Sequence, residues 1–195
     1  MTNIFYSLLY LFGSLMANYG SSYLLSNFNL SQQPANDILL MITPRIQWMG
    51  YVADSILIIT TGILFFSLRK KLNQIPFIIY SISAVLFVRS FLVLLTPVNN
   101  SFGGREYWDL FSFSKYPSGM FPSGHTAFTY LCYLFLKDNS NKIYAKISML
   151  LLISEIIALI TSHGHYSIDI IGGLMLAYII YRLGKDFQKK SSSKS

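Results

Sequence analysis

Apolar residues fall along this chain in long blocks parted by short clusters of charged and turn-forming residues, without the strict alternation of a half-buried strand. Six blocks stand out, at about residues 4–25, 46–68, 75–95, 125–136, 143–162 and 166–183. Crossing the hydrocarbon core of a bilayer takes ~20 apolar residues of helix, and all but the fourth block approach that length. The fourth stops early, before Lys137, so it either begins in the preceding loop or relies on Lys137 and Lys142 snorkelling to the interface. The pattern predicts an all-α integral membrane protein. Six transmembrane helices form one bundle over residues 1–190, and 191–195 form a disordered polar tail. The first block has no basic leader or small-residue cleavage site, and the expectation is that it is retained.

Composition agrees with the blocks. Of 195 residues, 53% are hydrophobic and 12% charged, against about a quarter charged in a soluble domain. Cys132 is the one cysteine, so no intramolecular disulfide forms. A net charge of +7 raises nucleic acid as a partner, but that use needs basic residues gathered on one soluble face. Here they lie between apolar blocks: Arg69, Lys70 and Lys71; Lys137, Lys142 and Lys146; Arg182, Lys185, Lys189, Lys190 and Lys194. The alternate loops carry only Arg45, Arg105 and Lys115. By the positive-inside bias both termini face the cytoplasm, which places the second set of loops outside a cell membrane.

The outer segment 26–45 is mixed in character, whereas 96–124 is crowded with aromatics. Phe102, Tyr107, Trp108, Phe111, Phe113, Tyr116 and Phe121 suit either an interfacial anchor or a lipid-facing rim over a site. All three histidines fall at outer ends, in Phe121-Pro122-Ser123-Gly124-His125-Thr126 and Ser162-His163-Gly164-His165-Tyr166-Ser167-Ile168-Asp169. The fourth block runs inward and the fifth outward, so His125 and His165 return to the same membrane face. His165 and Asp169 stand at i and i+4, which on a helix places them on one side within reach. Asp169 then fixes the imidazole tautomer and makes His165 a candidate nucleophile, or the pair is a structural hydrogen bond. The Pro-Ser-Gly turn opens a helix whose amides at Ser123, Gly124 and His125 suit an anion. Gly124 allows close approach, Ser123 and Thr126 offer hydroxyls, and His125 can donate a proton. The plainer alternative makes Ser123 an N-cap and His125 an interfacial residue.

Together these segments resemble the type 2 phosphatidic acid phosphatase superfamily, whose members carry Pro-Ser-Gly-His and a later His-x-x-x-Asp on neighbouring helix ends. Pro122-Ser123-Gly124-His125 and His165 to Asp169 match that pattern. Ser123-Gly124-His125-Thr126, and His165 through Ile170 with its Tyr166, look more like the sphingomyelin synthase branch, as does Arg89 followed seven residues on by Thr96. That branch transfers phospho-headgroups between lipids. Two departures stand out. Ala158 and Leu159 replace a Ser-Arg pair of the general phosphatases, and Gly119 stands where the synthases carry Asp. The resemblance implies a metal-free, cofactor-free six-helix bundle working through a phosphohistidine at His165, with His125 as the acid. It also implies a lipid phosphate or phospholipid substrate.

Ionisable residues inside spans cost several kcal/mol unless paired or functional. Asp54, Arg89 and Glu155 each sit about six to eight residues from the outer ends of their blocks, roughly 9 to 12 Å deep. That shared depth predicts a polar pocket beneath the histidines. Arg89 either neutralises phosphate there or bridges to Asp54 or Glu155. Arg105 is a second candidate phosphate ligand, His163 reads as a loop residue, and Cys132 as packing. Gly172 and Gly173 suit close helix approach. Three functions compete: lipid-phosphate hydrolase, headgroup phosphotransferase, and a non-catalytic lipid-binding membrane protein. The lipid, whether phosphatidic acid, phospholipid, sphingolipid or polyprenyl phosphate, and any homo-oligomeric state stay open at this level.

Overall fold

The computed structural model describes residues 4–28, 35–69, 71–98, 120–139 and 142–192. Their regular structure is helical: α1 (Ile4–Asn27), α2 (Ile38–Ile42), α3 (Met49–Leu68), α4 (Ile75–Leu95), α5 (Gly124–Asn139), α6 (Lys142–Thr161) and α7 (Ser167–Ser192). A 3-10 turn, Leu72–Gln74, leads into α4. Pro76 sits in the first turn of α4, where its missing N–H costs nothing, and the helix stops at Thr96 ahead of Pro97. The predicted blocks and the long helices agree to within three residues at all but one end, while α2 has no counterpart in the hydrophobic pattern. That one end is the last. α7 continues to Ser192, so the tail expected to be disordered from 191 starts inside a helix, and 193–195 lie outside the described residues.

Among the described residues four helical stretches are long and apolar enough to cross a membrane: Met49–Leu68, Leu72–Leu95, Lys142–Thr161 and Ser167–Lys190. They suit a multi-pass membrane protein. Of the six spans expected, α1 and α5 do not meet both criteria, for different physical reasons. α1 is long but interrupted by Ser7, Ser14, Asn18, Ser21 and Ser22, whose serine hydroxyls bond back to carbonyls three or four residues earlier. α5 has 16 residues, about 24 Å of helix, and begins with polar His125, Thr126 and Thr129. It is the innermost helix, packed against α3, α4, α6 and α7, so protein rather than lipid surrounds it.

Contacts at the helix ends give the directions. Tyr10 lies against Tyr80 and Asn18 against Arg89, so α1 and α4 run parallel. The Ile46 amide bonds to the Thr161 carbonyl at 2.7 Å, which puts the start of α3 beside the end of α6. Asn139 at the end of α5 accepts from Gln74 and Lys71 at the start of α4. The six long helices therefore alternate in direction along the chain. In the core Leu131, Cys132 and Phe135 of α5 meet Leu64, Val85, Ala177 and Tyr181. Cys132 is buried packing, as its mid-block position suggests. In lipid, apolar burial does not separate helix–helix from helix–lipid contact, so close fit decides pairing. Here glycine supplies it. A methyl group on Gly173 would stand 2.6 Å from the Ser123 carbonyl oxygen, and one on Gly172 2.6 Å from the Phe121 ring.

Candidate active site

The link between α6 and α7 is short and doubly capped. At the end of α6 the His163 amide bonds to the Ile160 carbonyl and the Gly164 amide to the Leu159 carbonyl, both at 3.0 Å. This is a Schellman closure, with His163 at φ 56° in the left-handed position. Histidine tolerates that region better than most residues, and its ring is anchored by a hydrogen bond with the Thr43 carbonyl at 3.0 Å. At the start of α7 the Asp169 carboxylate reaches back to accept the Tyr166 amide at 3.0 Å, the acidic half of a capping box. His165 is held between these two caps. Its Nδ1 lies 3.3 Å from the same Asp169 Oδ2. The i, i+4 spacing thus works across a helix start, with Asp169 in the first turn and His165 before it, instead of along one helix face.

Burial pushes the His165 imidazole below its ordinary value, with the Asp169 carboxylate pulling the other way. The ring is therefore mostly neutral near pH 7. With Nδ1 engaged by Asp169, Nε2 is the nitrogen left for chemistry.

The second histidine segment opens α5. Ser123 Oγ accepts from the Thr126 amide at 3.3 Å and from the Thr126 hydroxyl at 3.1 Å, and both side chains are fully buried. This pair caps the helix, the plainer of the two roles expected for Ser123. The Ser123 amide donates to the Asp169 carbonyl at 2.9 Å, which ties the start of α5 to the start of α7. That bond takes the Ser123 amide out of the expected anion cradle. Gly124 remains at the helix start, and the Arg89 Nε lies 3.4 Å from where its Cβ would be.

His125 and His165 come together with ring centroids 6.1 Å apart and planes at 63°. His125 Nε2 is 2.8 Å from Asp54 Oδ1 on α3. The spacing of motifs gave no sign of this pairing. Asp54 was legible only as a buried charge, and its partner lies 71 residues away. Glu155 is fully buried on α6 and accepts the Thr129 hydroxyl at 2.9 Å. Arg89 donates through Nε to the Pro122 carbonyl at 2.9 Å and through Nη1 to Asn18 Oδ1 at 2.6 Å. It so braces the turn ahead of His125, and Asn18 of α1 joins the site's surroundings unannounced by any motif. The buried ionisable residues do share one region, as their common depth predicts. Arg105, Gly119 and the loop aromatics other than Phe121 lie outside the described residues.

A fourth carboxylate, Asp37, lies in the segment of mixed character and has no place in either histidine motif. Its Oδ2 accepts the Ser167 amide at 2.6 Å and the Ser167 hydroxyl at 2.7 Å, while Oδ1 caps α2 through Leu39 and Leu40. Burial pulls this carboxyl upward, but the Ser167 bonds and the two α2 amides outweigh it and hold it below the ordinary carboxylate value. The Tyr166 hydroxyl accepts the Ala35 amide at 3.1 Å. Among the described residues no three His, Cys, Asp or Glu side chains converge as metal ligands would.

No curated protein matches the chain. Residues 120–185, the stretch that carries both paired histidines and Asp169, match the family model described as PAP2 superfamily C-terminal, which supports the PAP2 superfamily for this chain and a phosphatase or phosphotransferase type of function.

Proposed function

We propose that this protein is an integral membrane enzyme that cleaves the bond between a lipid alkoxide and its phosphate or phospho-headgroup through a phosphohistidine on His165. The observation that carries the reading is the facing pair of histidines, 6.1 Å apart, each with its own carboxylate. In the first step His165 Nε2 forms a P–N bond as the P–O bond to the lipid alkoxide breaks, and His125 gives its proton to the departing oxygen. In the second, His125 takes a proton from water or an acceptor hydroxyl, whose oxygen forms the new P–O bond as P–N breaks. Asp169 orients His165, Asp54 orients His125 and offers its negative charge to the imidazolium form, and Arg89 supplies positive charge near the reacting phosphate. Gly124 lets the phosphate approach the start of α5, while Ser123, Thr126 and Tyr166 shape that end of the pocket. With α1 and α5 counted as spans, the alternation of the six long helices supports a site on the side away from the Lys and Arg clusters. The site then serves the outer leaflet of the cell membrane.

Transfer to a lipid acceptor, in the manner of the sphingomyelin synthase branch, is the form we favour over simple hydrolysis. Ala158 and Leu159, where the general phosphatases carry Ser-Arg, are buried in an apolar cluster with Ala53 and Ile170, so that position contributes no charge to the phosphate. The deciding experiment is product analysis by mass spectrometry, with the protein in lipid nanodiscs given phosphatidic acid and phospholipids beside diacylglycerol and ceramide acceptors. A new phospholipid on an added acceptor, absent in His165→Ala, establishes transfer. Phosphate or headgroup released to water establishes hydrolysis, and products that persist in His165→Ala overturn the mechanism.

A further inference from the structure

The stretch 35–42 carries a feature the reaction does not use. All five residues of α2 are apolar, and Ile38, Leu39, Met41 and Ile42 leave their side chains exposed, while Leu40 is buried against Met120 and Tyr166. An exposed helix with such a face is stable beside hydrocarbon, not water. Asp37 clamps it to α7: one carboxylate takes two donors from Ser167 and two from α2 itself. The neighbouring residues are stitched along the same line, Ala35 to Tyr166 and Thr43 to His163. Between α2 and the start of α7 lies a cavity of about 500 Å³, whose lining includes Leu39, Val98, Phe121, Ile168, Tyr166 and Asp169. That volume falls within the range of small-molecule sites, ~300–1,000 Å³. Asp169 lines the cavity and also bonds to His165, so the cavity lies one residue away from the histidine pair.

We infer that this cavity receives the hydrocarbon chain of the lipid whose phosphate reacts at His165, with α2 as its outer wall and Asp37 as the positioning residue that holds the wall in place. The identity of the reacting phosphate rests on the function proposed above, and the chain site rests on the cavity. The apolar lining favours a hydrocarbon chain over a polar headgroup, and the exposed face of α2 places the mouth against the bilayer. A phosphate at His165 leaves its lipid chain beside Tyr166 and Ile168.

Photolabelling tests it without needing turnover. The full chain in nanodiscs is irradiated with phosphatidic acid carrying a diazirine near the start of one acyl chain, and labelled peptides are mapped by mass spectrometry. Labels should concentrate on residues 35–42 and 166–169, in the wild type and in His165→Ala alike. Filling the cavity from either wall, by Leu39→Trp or Ile168→Trp, should cut that labelling about tenfold. The two variants guard against misfolding of one. Asp37→Asn should raise KM for a long-chain phosphatidic acid more than for its dihexanoyl counterpart and leave kcat close to wild type, a split that general loosening of the fold would not produce. Labels spread evenly over the lipid-facing helices and unchanged by both tryptophans overturn the inference. Cavity labelling without product from any lipid would sink the proposed reaction and leave the chain site standing. Product formation with labels elsewhere would do the reverse.

Discussion

The two histidines reach their carboxylates by opposite routes. His165 and Asp169 belong to one eight-residue stretch, and two helix caps within that stretch set their relation. His125 meets Asp54 only because α3 and α5 pack side by side, and its 2.8 Å contact depends on how those helices rotate against each other. The local pair is longer, at 3.3 Å, and its carboxylate is shared with a backbone amide. A local pair suits the nucleophile proposed for His165, whose tautomer would have to hold while it carried the phosphoryl group. A pair across helices suits an acid and base, because small helix movements can retune it between the two half-reactions.

The sharpest way to break this comparison is to remove each ring. His165→Ala should lower turnover by about 10⁴ or more, because in the proposed mechanism it deletes the atom that forms the covalent intermediate. Phosphate or phospholipid production, quantified by mass spectrometry, checks it. Residual activity within tenfold of wild type would assign the nucleophile elsewhere.

Asp169→Asn should come next, with a loss of about 10³ from the wrong tautomer and the lost charge. Its pH profile separates orientation from mere damage. In the proposed mechanism His165 attacks as the neutral ring, so activity should be lost as pH falls through its lowered value, and the acid limb of kcat/KM should lie below 6.5. Asp169 pulls that value upward, so removing its charge should move the limb to still lower pH. A limb that moves upward instead would contradict the Asp169–His165 assignment.

Asp54→Asn tests the other pair and should cost about 10² with a lipid alkoxide leaving group. With a nitrophenyl phosphodiester, whose leaving group needs no proton, the loss should shrink to a few-fold in the first step, followed by burst kinetics. An equal loss on both substrates would make Asp54 structural.

How much of this was legible follows the same divide. The six long helices, the positions of both histidines, Asp169 and the close approach at Gly173 were readable because each rests on spacing along one segment. Asp54 and Glu155 were visible as costly charges, but not as partners of His125 and Thr129, since nothing in a linear pattern encodes helix rotation. α2 was missed because five apolar residues fall far below the length at which periodicity speaks. Asp37 was missed because its partner Ser167 is 130 residues away. The reading of Ser123 as an amide donor to phosphate met a competitor in the Asp169 carbonyl.

The smallest effect belongs to a third acidic pair at the opposite end of the bundle. Asp138 at the end of α5 accepts from Lys185 and from the Tyr181 hydroxyl, tying α5 to α7 where the histidines are far away. Both partners of the ion pair are about a third exposed, so water screens their attraction. Lys185→Met should therefore destabilise the protein by less than about 1 kcal/mol in a thermal melt and leave kcat/KM at the wild-type value. A larger catalytic effect would mean that the α5–α7 register at this end is transmitted to the bond between the Ser123 amide and the Asp169 carbonyl. The two histidine helices would then move as one rigid body, and the contrast between a locally fixed nucleophile and a packing-dependent acid would lose its basis.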